Sequence, residues 1–336
     1  MKREAAPSPG PKGAPETDTA HYQAILDEVQ ANINGFPPNL QARALAFFEF
    51  LAPGEFTKVV ALLPYWLHDL LPVSPDICHK LGVAHLYGWW YYAAQDELLD
   101  GAASPDVMLA AHLALLKMVE GYRILGVTGA PCWAEFEALA RTSAESYMAE
   151  VQSRFTTLSE VTPGHLTPWS IEFIISRASP FYFNTLAHLH LAGIPATSPL
   201  HQVLPEAIAY FGAARQIGDD ADDWLEDLKK GHLNYVSAQL MRRFGDERPA
   251  ANDQALDLNR LAGYSLTDEA FWQTIEQTAQ SLARQALAIT APFAPCRLQT
   301  LIEYQLAHNA EAWQEGRRNR ARQRLLFGLD DSTVKW

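Results

Sequence analysis

The 336-residue sequence contains no run approaching the ~18 consecutive apolar residues of a membrane-spanning helix, which argues against an integral membrane protein. Its opening stretch lacks the apolar block of a secretory signal. Cysteine is scarce: Cys78, Cys132 and Cys296 are scattered, without the paired spacing of a disulfide framework or a zinc site. A reducing cytoplasm is therefore the default compartment. Positive charge is also short, with 26 Lys and Arg against 39 Asp and Glu and a net charge of −13. Such a balance disfavours nucleic acid as the main partner. No sustained apolar–polar alternation argues for strands, no internal repeat is apparent, and no shift in composition marks an interior linker. One domain is expected over 20–328. Residues 1–19, rich in Pro, Gly, Ala and charge, read as a disordered tail that cannot bury enough to order itself, and 329–336 read as a C-terminal tail.

What is present is helical spacing nearly everywhere. Apolar residues recur at helical intervals over 20–34, 38–51, 54–71, 75–99, 105–124, 132–158, 168–193, 199–230, 234–244, 268–290 and 295–325. Ser74-Pro75-Asp76 is a helix start, with proline in the first turn and an acid near the N-terminus. Gly101, Gly231 and the Pro292/Pro295 pair are stops or restarts. The expected fold class is all-α, a single-domain helical bundle.

Two of these helices run apolar and then abruptly acidic. The segment 75–99 leads into Gln95-Asp96-Glu97-Leu98-Leu99-Asp100. The segment 199–230 carries Gln216-Ile217-Gly218-Asp219-Asp220-Ala221-Asp222-Asp223 and continues to Asp227. Residues four apart share a helix face, so Asp96 and Asp100 point one way with Glu97 beside them. Asp219, Asp223 and Asp227 form a ladder on one face of theirs. Stacked carboxylates repel and raise one another's pKa unless a cation lies between them. Their hard oxygens suit Mg²⁺, which takes one or two carboxylates at a time and fills its shell with water and phosphate oxygens. One acidic run is usually a solvated helix face; the ordered pair points to metal and a diphosphate.

Asp96-Glu97-Leu98-Leu99-Asp100 resembles the first aspartate-rich motif of the class I isoprenoid synthase superfamily. The segment 216–223 is similar to the second such motif of its prenyl diphosphate synthases. Asp219, Asp223 and Asp227 also match the spacing of the metal-binding triad of class I terpene synthases, with aspartate at all three positions. The resemblance covers roughly residues 60–325 and implies a class I terpenoid synthase bundle around a deep apolar cavity. It implies three Mg²⁺ ions, with Asp96, Glu97 and Asp100 serving two of them and Asp219, Asp223 and Asp227 the third.

The resemblance further implies a diphosphate-sensing arginine on a helix that breaks near its middle. Arg177, 42 residues before Asp219, fits that place, and Pro180 supplies the break. The family's last helix ends in an Arg-Tyr pair over the diphosphate. None exists here, so Arg317, Arg318 and Arg320 stand as candidates, joined by Lys230 just past the triad. Asp96, Asp219 and Arg177 are the residues expected to be essential for catalysis. An allylic carbocation must be kept from water and faced with π systems. His85, Trp89, Tyr91, Tyr92, Phe173, Phe181, Phe183, Gly212 and Gln216 are the candidate pocket residues, although aromatics at helical spacing are more often ordinary core.

Within the superfamily, chain-elongating synthases carry an N-terminal Gly-Gly-Lys-x-x-Arg-Pro segment and arginines directly after the first motif. Here Asp100 is followed by Gly101-Ala102-Ala103-Ser104-Pro105, without a cation. These absences favour a one-substrate terpene synthase acting on a C15 or C20 allylic diphosphate, linear or already bicyclic, with a homodimer as a possible assembly. Chain elongation and a silent partner subunit of a prenyl synthase are the alternatives. A di-iron bundle would want Glu-x-x-His pairs from two helices, and none is suitably placed.

Overall fold

The computed structural model describes residues 16–101, 103–246 and 257–327. Residues 1–15 and the expected C-terminal tail, 329–336, lie outside the described residues. Among the described residues there are fourteen α-helices, a few 3-10 turns and no strand. The all-α expectation holds. No helix is long and apolar enough to cross a membrane among the described residues.

The chain groups into two compact units. The first comprises residues 1–138, 181–205 and 295–298, and the second 139–180, 206–294 and 299–336. At the centre of the first lies α4 (Pro75–Leu99), packed by α1 (Glu16–Ile33), α3 (Glu55–Trp66) and α5 (Pro105–Ile124). Ser74 caps α4 by accepting the Ile77 N–H, and Pro75 occupies the first turn, where a missing N–H costs nothing. Gly82 brings α4 against α3 so closely that a Cβ there would lie 2.5 Å from the Ala61 carbonyl oxygen. The core around this contact includes Leu62, Leu63, Leu81, Leu86, Tyr87 and Trp90, all essentially buried.

α3 contains a proline, Pro64. Proline has no N–H, so the carbonyl four residues earlier, Val60, loses its helical donor. His85 of α4 replaces it, its Nδ1 lying 3.0 Å from the Val60 oxygen. The imidazole is buried, and that burial lowers its pKa to about 4 against the opposing pull of the carbonyls of Val60 and Phe181. His85 is thus held neutral as a core hydrogen-bond donor. Another long-range tie in this unit joins Arg297 to the buried Asp18 at 2.6 Å, where Trp66 Nε1 also donates.

In the second unit, the segment expected as one helix over 168–193 is broken as anticipated. α8 (Ile171–Arg177) ends one residue before Ala178, a 3-10 turn covers Ser179–Tyr182, and α9 (Phe183–Leu191), which belongs to the first unit, follows. The remaining helices include α10 (Pro199–Lys229), α11 (Tyr235–Asp246), α12 (Leu258–Thr267), α13 (Glu269–Thr290) and α14 (Arg297–Phe327). α12 has no counterpart among the expected segments. Asp257 starts it by accepting from the Arg260 N–H, and Asp268 starts α13 by accepting from Phe271 N–H.

Candidate metal and diphosphate site

The first acidic motif closes α4 in the first unit. Asp96 and Glu97 lie in its last turn, and Asp100 is the C-cap, its N–H bonded to the Asp96 carbonyl at 2.9 Å. Gly101 follows with φ +68°, a left-handed conformation that glycine adopts without steric cost, and its N–H bonds back to Leu98. Asp96, Glu97 and Asp100 are all half-buried. A helix C-terminus carries partial negative charge, which adds to the pull that acids placed there exert on a cation.

The second motif lies on α10 in the second unit, and its acids divide by direction. Asp219 and Asp223 are exposed, while Asp227 is half-buried a turn further on. Although its side chain reaches solvent, Asp219 is crowded by protein on its other sides. That desolvation raises its carboxyl above the ordinary range; Arg215, 3.5 Å away, opposes it, and Asp223 adds to it. Asp222 is raised as well, by desolvation and then by Asp219 and Asp223. Desolvation leads in both cases, and the neighbouring acids add to it, as clustered carboxylates do.

Asp220 does something else. It is buried, and burial pushes its carboxyl up to about 7, although Gln216, the Tyr235 N–H and the charge of Arg177 all act to lower it. Its Oδ2 accepts from the Tyr235 N–H at 2.9 Å, so it ties the first turn of α11 to α10. Gln216 donates to its other oxygen at 2.8 Å. Gln216 is therefore placed as a partner of Asp220, and Gly212 lies half-buried one turn earlier on α10.

α10 stops at a tight turn that fixes the end of the ladder. Gly231 has φ +81°, its N–H bonds to the Leu228 carbonyl, and the His232 N–H bonds to that of Asp227 at 2.9 Å. This is the paired bonding of a Schellman cap. Only glycine fits: a Cβ at 231 would lie 1.9 Å from the Phe155 carbonyl oxygen, while the Phe155 N–H donates to the Gly231 carbonyl. Lys230, next to it, is exposed.

Arg177 terminates α8 in the same unit. Its Nε lies 2.8 Å from Glu150 Oε2, its guanidinium sits over the Tyr147 ring at 5.0 Å, and its carbonyl accepts from Ser143 Oγ. The C-terminal arginines are engaged with α13. Arg317 is ion-paired with Glu276, and Arg320 lies 3.3 Å from Glu269 and 4.6 Å above the Trp272 ring. Arg318 is on the exposed side of α14. Sequence reasoning missed Glu150, Tyr147, Glu269 and Glu276, because a partner that arrives from another helix leaves no local spacing.

The pocket candidates fall into distinct groups. In the first unit His85 stacks on Phe181 (5.3 Å), Phe181 meets Phe56 (5.0 Å) and Phe56 meets Trp89 edge-on (4.9 Å), forming one aromatic chain. Tyr91 lies edge-on to Tyr92 at 5.4 Å and stacks on His112 of α5 at 6.3 Å. Phe183 is buried among Tyr122, Trp133 and Phe136, with the Phe136 ring 4.4 Å away. Phe173, in the second unit, packs edge-on to Trp169 at 5.1 Å.

No family model matches the sequence, and no curated protein is significantly similar to it. Solved structures are more informative. The fold is similar to that of a geranylgeranyl pyrophosphate synthase from Lactobacillus brevis ATCC 367, with a TM-score of 0.63 at 14% identity over 89% of this chain and 97% of that one. A polyprenyl synthase from Roseobacter denitrificans gives 0.62 at 16% identity, covering 89% and 96%. A geranylgeranyl pyrophosphate synthase from Corynebacterium glutamicum, complexed with isoprenyl diphosphate and magnesium, gives 0.59 at 14% identity, covering 89% and 97%. The chain has the fold of the isoprenyl diphosphate synthases.

Within that fold, the chemistry of the donor set fits Mg²⁺. Every ligand candidate on α4 and α10 is a hard carboxylate oxygen. Among the described residues, no three His, Cys, Asp or Glu side chains converge into a cage. Mg²⁺ needs no such cage, since it takes one or two carboxylates and completes its shell from water and phosphate. The raised carboxyls of Asp219 and Asp222 accord with the same reading.

Proposed function

We propose that this protein is a Mg²⁺-dependent class I terpene synthase that ionises a single C15 or C20 allylic diphosphate and releases a terpene hydrocarbon or alcohol. The reading rests above all on one observation: two long helices, α4 and α10, each carry an acidic motif with carboxylates at helical spacing towards the C-terminal end. Asp96, Glu97, Asp100, Asp219, Asp223 and Asp227 would hold the Mg²⁺, three ions in all. Bound there, the metal would supply the positive charge that neutralises a departing diphosphate.

The chain's own residues do the rest. Arg177, Lys230 and one of Arg317, Arg318 and Arg320 bind diphosphate oxygens, adding charge where the leaving group gathers it. The allylic C–O bond breaks and its electron pair leaves with the diphosphate. The cation that remains is faced by aromatic rings, for which His85, Trp89, Tyr92 and Phe181 are the candidates in the first unit and Phe173 in the second. It cyclises, then either loses a proton from carbon to give the hydrocarbon or takes up water and loses a proton from that oxygen to give the alcohol. The proton passes to the released diphosphate or to solvent. One substrate rather than two is favoured by the run from Gly101 to Pro105, which puts no basic residue after Asp100 to receive a second diphosphate.

Chain elongation is the second reading, favoured by the elongating synthases among the similar structures. Pyrophosphate release separates the two. With farnesyl or geranylgeranyl diphosphate and Mg²⁺, release that proceeds without isopentenyl diphosphate supports the terpene synthase; release that requires it supports elongation. No release in either case would leave the silent partner subunit.

A further inference from the structure

We infer that Asn234 is a positioning residue for the third ladder carboxylate, Asp227, an inference that rests on the metal reading above. Asn234 follows the Gly231 turn and is buried. Its amide Nδ2 donates to Asp227 Oδ2 at 2.9 Å and to the Asp220 backbone carbonyl at 3.1 Å. Its Oδ1 accepts from the Ser237 N–H at 2.9 Å, while its own N–H donates to Ser237 Oγ, also at 2.9 Å. One side chain thus caps the start of α11 and holds the last acid of α10.

The electrostatics explain why such a hold is needed. Asp227 occupies the last turn of α10, where the helix end repels negative charge, and Asp223 lies one turn before it on the same face. Both effects push the carboxylate away from a fixed position. The Schellman cap fixes its backbone, and Asn234 fixes one of its oxygens. A neutral amide orients the oxygen without adding a positive charge of its own beside it, as a lysine or arginine would. Partners of this kind typically contribute 10–100-fold to metal affinity.

A purely structural Asn234 would be only the N-cap of α11, and the two roles separate experimentally. Asn234→Thr keeps a capping oxygen but removes the amide that reaches Asp227. Ser237→Ala weakens the cap and leaves that amide in place. Mn²⁺, an oxygen-seeking stand-in for Mg²⁺, is titrated into full-length protein with inorganic pyrophosphate and followed by electron paramagnetic resonance, and unfolding midpoints are recorded alongside. The expected result is about a 10-fold or greater loss of Mn²⁺ affinity in N234T, wild-type affinity in S237A, and no further loss when N234T is added to Asp227→Ala. Wild-type affinity in N234T, or an equal loss in S237A, overturns the positioning role while leaving the metal reading intact. No Mn²⁺ binding by the wild type overturns both. Asn234→Ser, also a capping residue, replaces N234T if the threonine methyl prevents folding.

Discussion

His85 offers a test of how the first unit is held together that does not depend on any view of function. Pro64 deprives the Val60 carbonyl of its helical donor, and His85 Nδ1 supplies the replacement at 3.0 Å. Val60 is fully buried, so no water takes over when the imidazole is removed. His85→Leu should therefore destabilise by about 1–3 kcal/mol, the cost of an unsatisfied buried acceptor. Pro64→Ala restores an N–H within reach of the same carbonyl. In the H85L background this substitution should recover about 1–2 kcal/mol more than it yields in the wild type, where His85 already serves the acceptor. Urea unfolding of the wild type, both single variants and the double variant completes the cycle. Additivity within ~0.5 kcal/mol would refute the reasoning and show that proline and histidine are neighbours without being partners.

Acid should destabilise the fold by the same logic. Burial lowers His85 and His188 to about 4 in the folded chain, below the ~6.5 of an exposed imidazole. The unfolded chain therefore binds protons first, so the contribution is complete above pH ~6.5 and lost as pH falls towards 4, at about 1.4 kcal/mol per unit for each histidine. Urea midpoints between pH 7 and 4.5 check this, and H85L should flatten the slope. Gly231→Ala must leave a left-handed backbone position and move the Phe155 carbonyl; a loss of about 2–4 kcal/mol is expected, and an unchanged urea midpoint would contradict it. Asp96→Ala and Asp219→Ala should each lower turnover by about 100-fold or more, with little change in thermal stability in D219A because its ion pair with Arg215 reaches solvent. Near-normal turnover in either variant would remove that residue from the metal site.

How much of this was legible in the sequence depended on whether the cause was local. α2 (Pro38–Leu51), α4 and α5 have the bounds that their spacing and proline starts predict. Gly101 and Gly231 end their helices in left-handed conformations, as expected, and the helix carrying Arg177 breaks beside Pro180. α1 begins at Glu16, inside the stretch read as a tail, and Asp18 near its start pairs with Arg297, almost the whole chain away and so invisible to local spacing. α12 was missed since it is short and starts only ten residues before Asp268. The carboxylate ladder on α10 is a pure matter of spacing and could be read directly. The burial of Asp220 and the clamp from Asn234 could not, as they depend on how the chain turns back at Gly231. Asn234 did leave one trace, a capping residue with serine three positions on, which marks a helix start but not a grip on Asp227.

Gas chromatography–mass spectrometry of the products tests the central claim most directly. Purified protein with Mg²⁺ receives geranyl, farnesyl or geranylgeranyl diphosphate, each with and without isopentenyl diphosphate. A terpene hydrocarbon or alcohol from one allylic substrate alone is the predicted result, and it would fix the substrate length. A longer prenyl diphosphate, formed only when isopentenyl diphosphate is present, would contradict it.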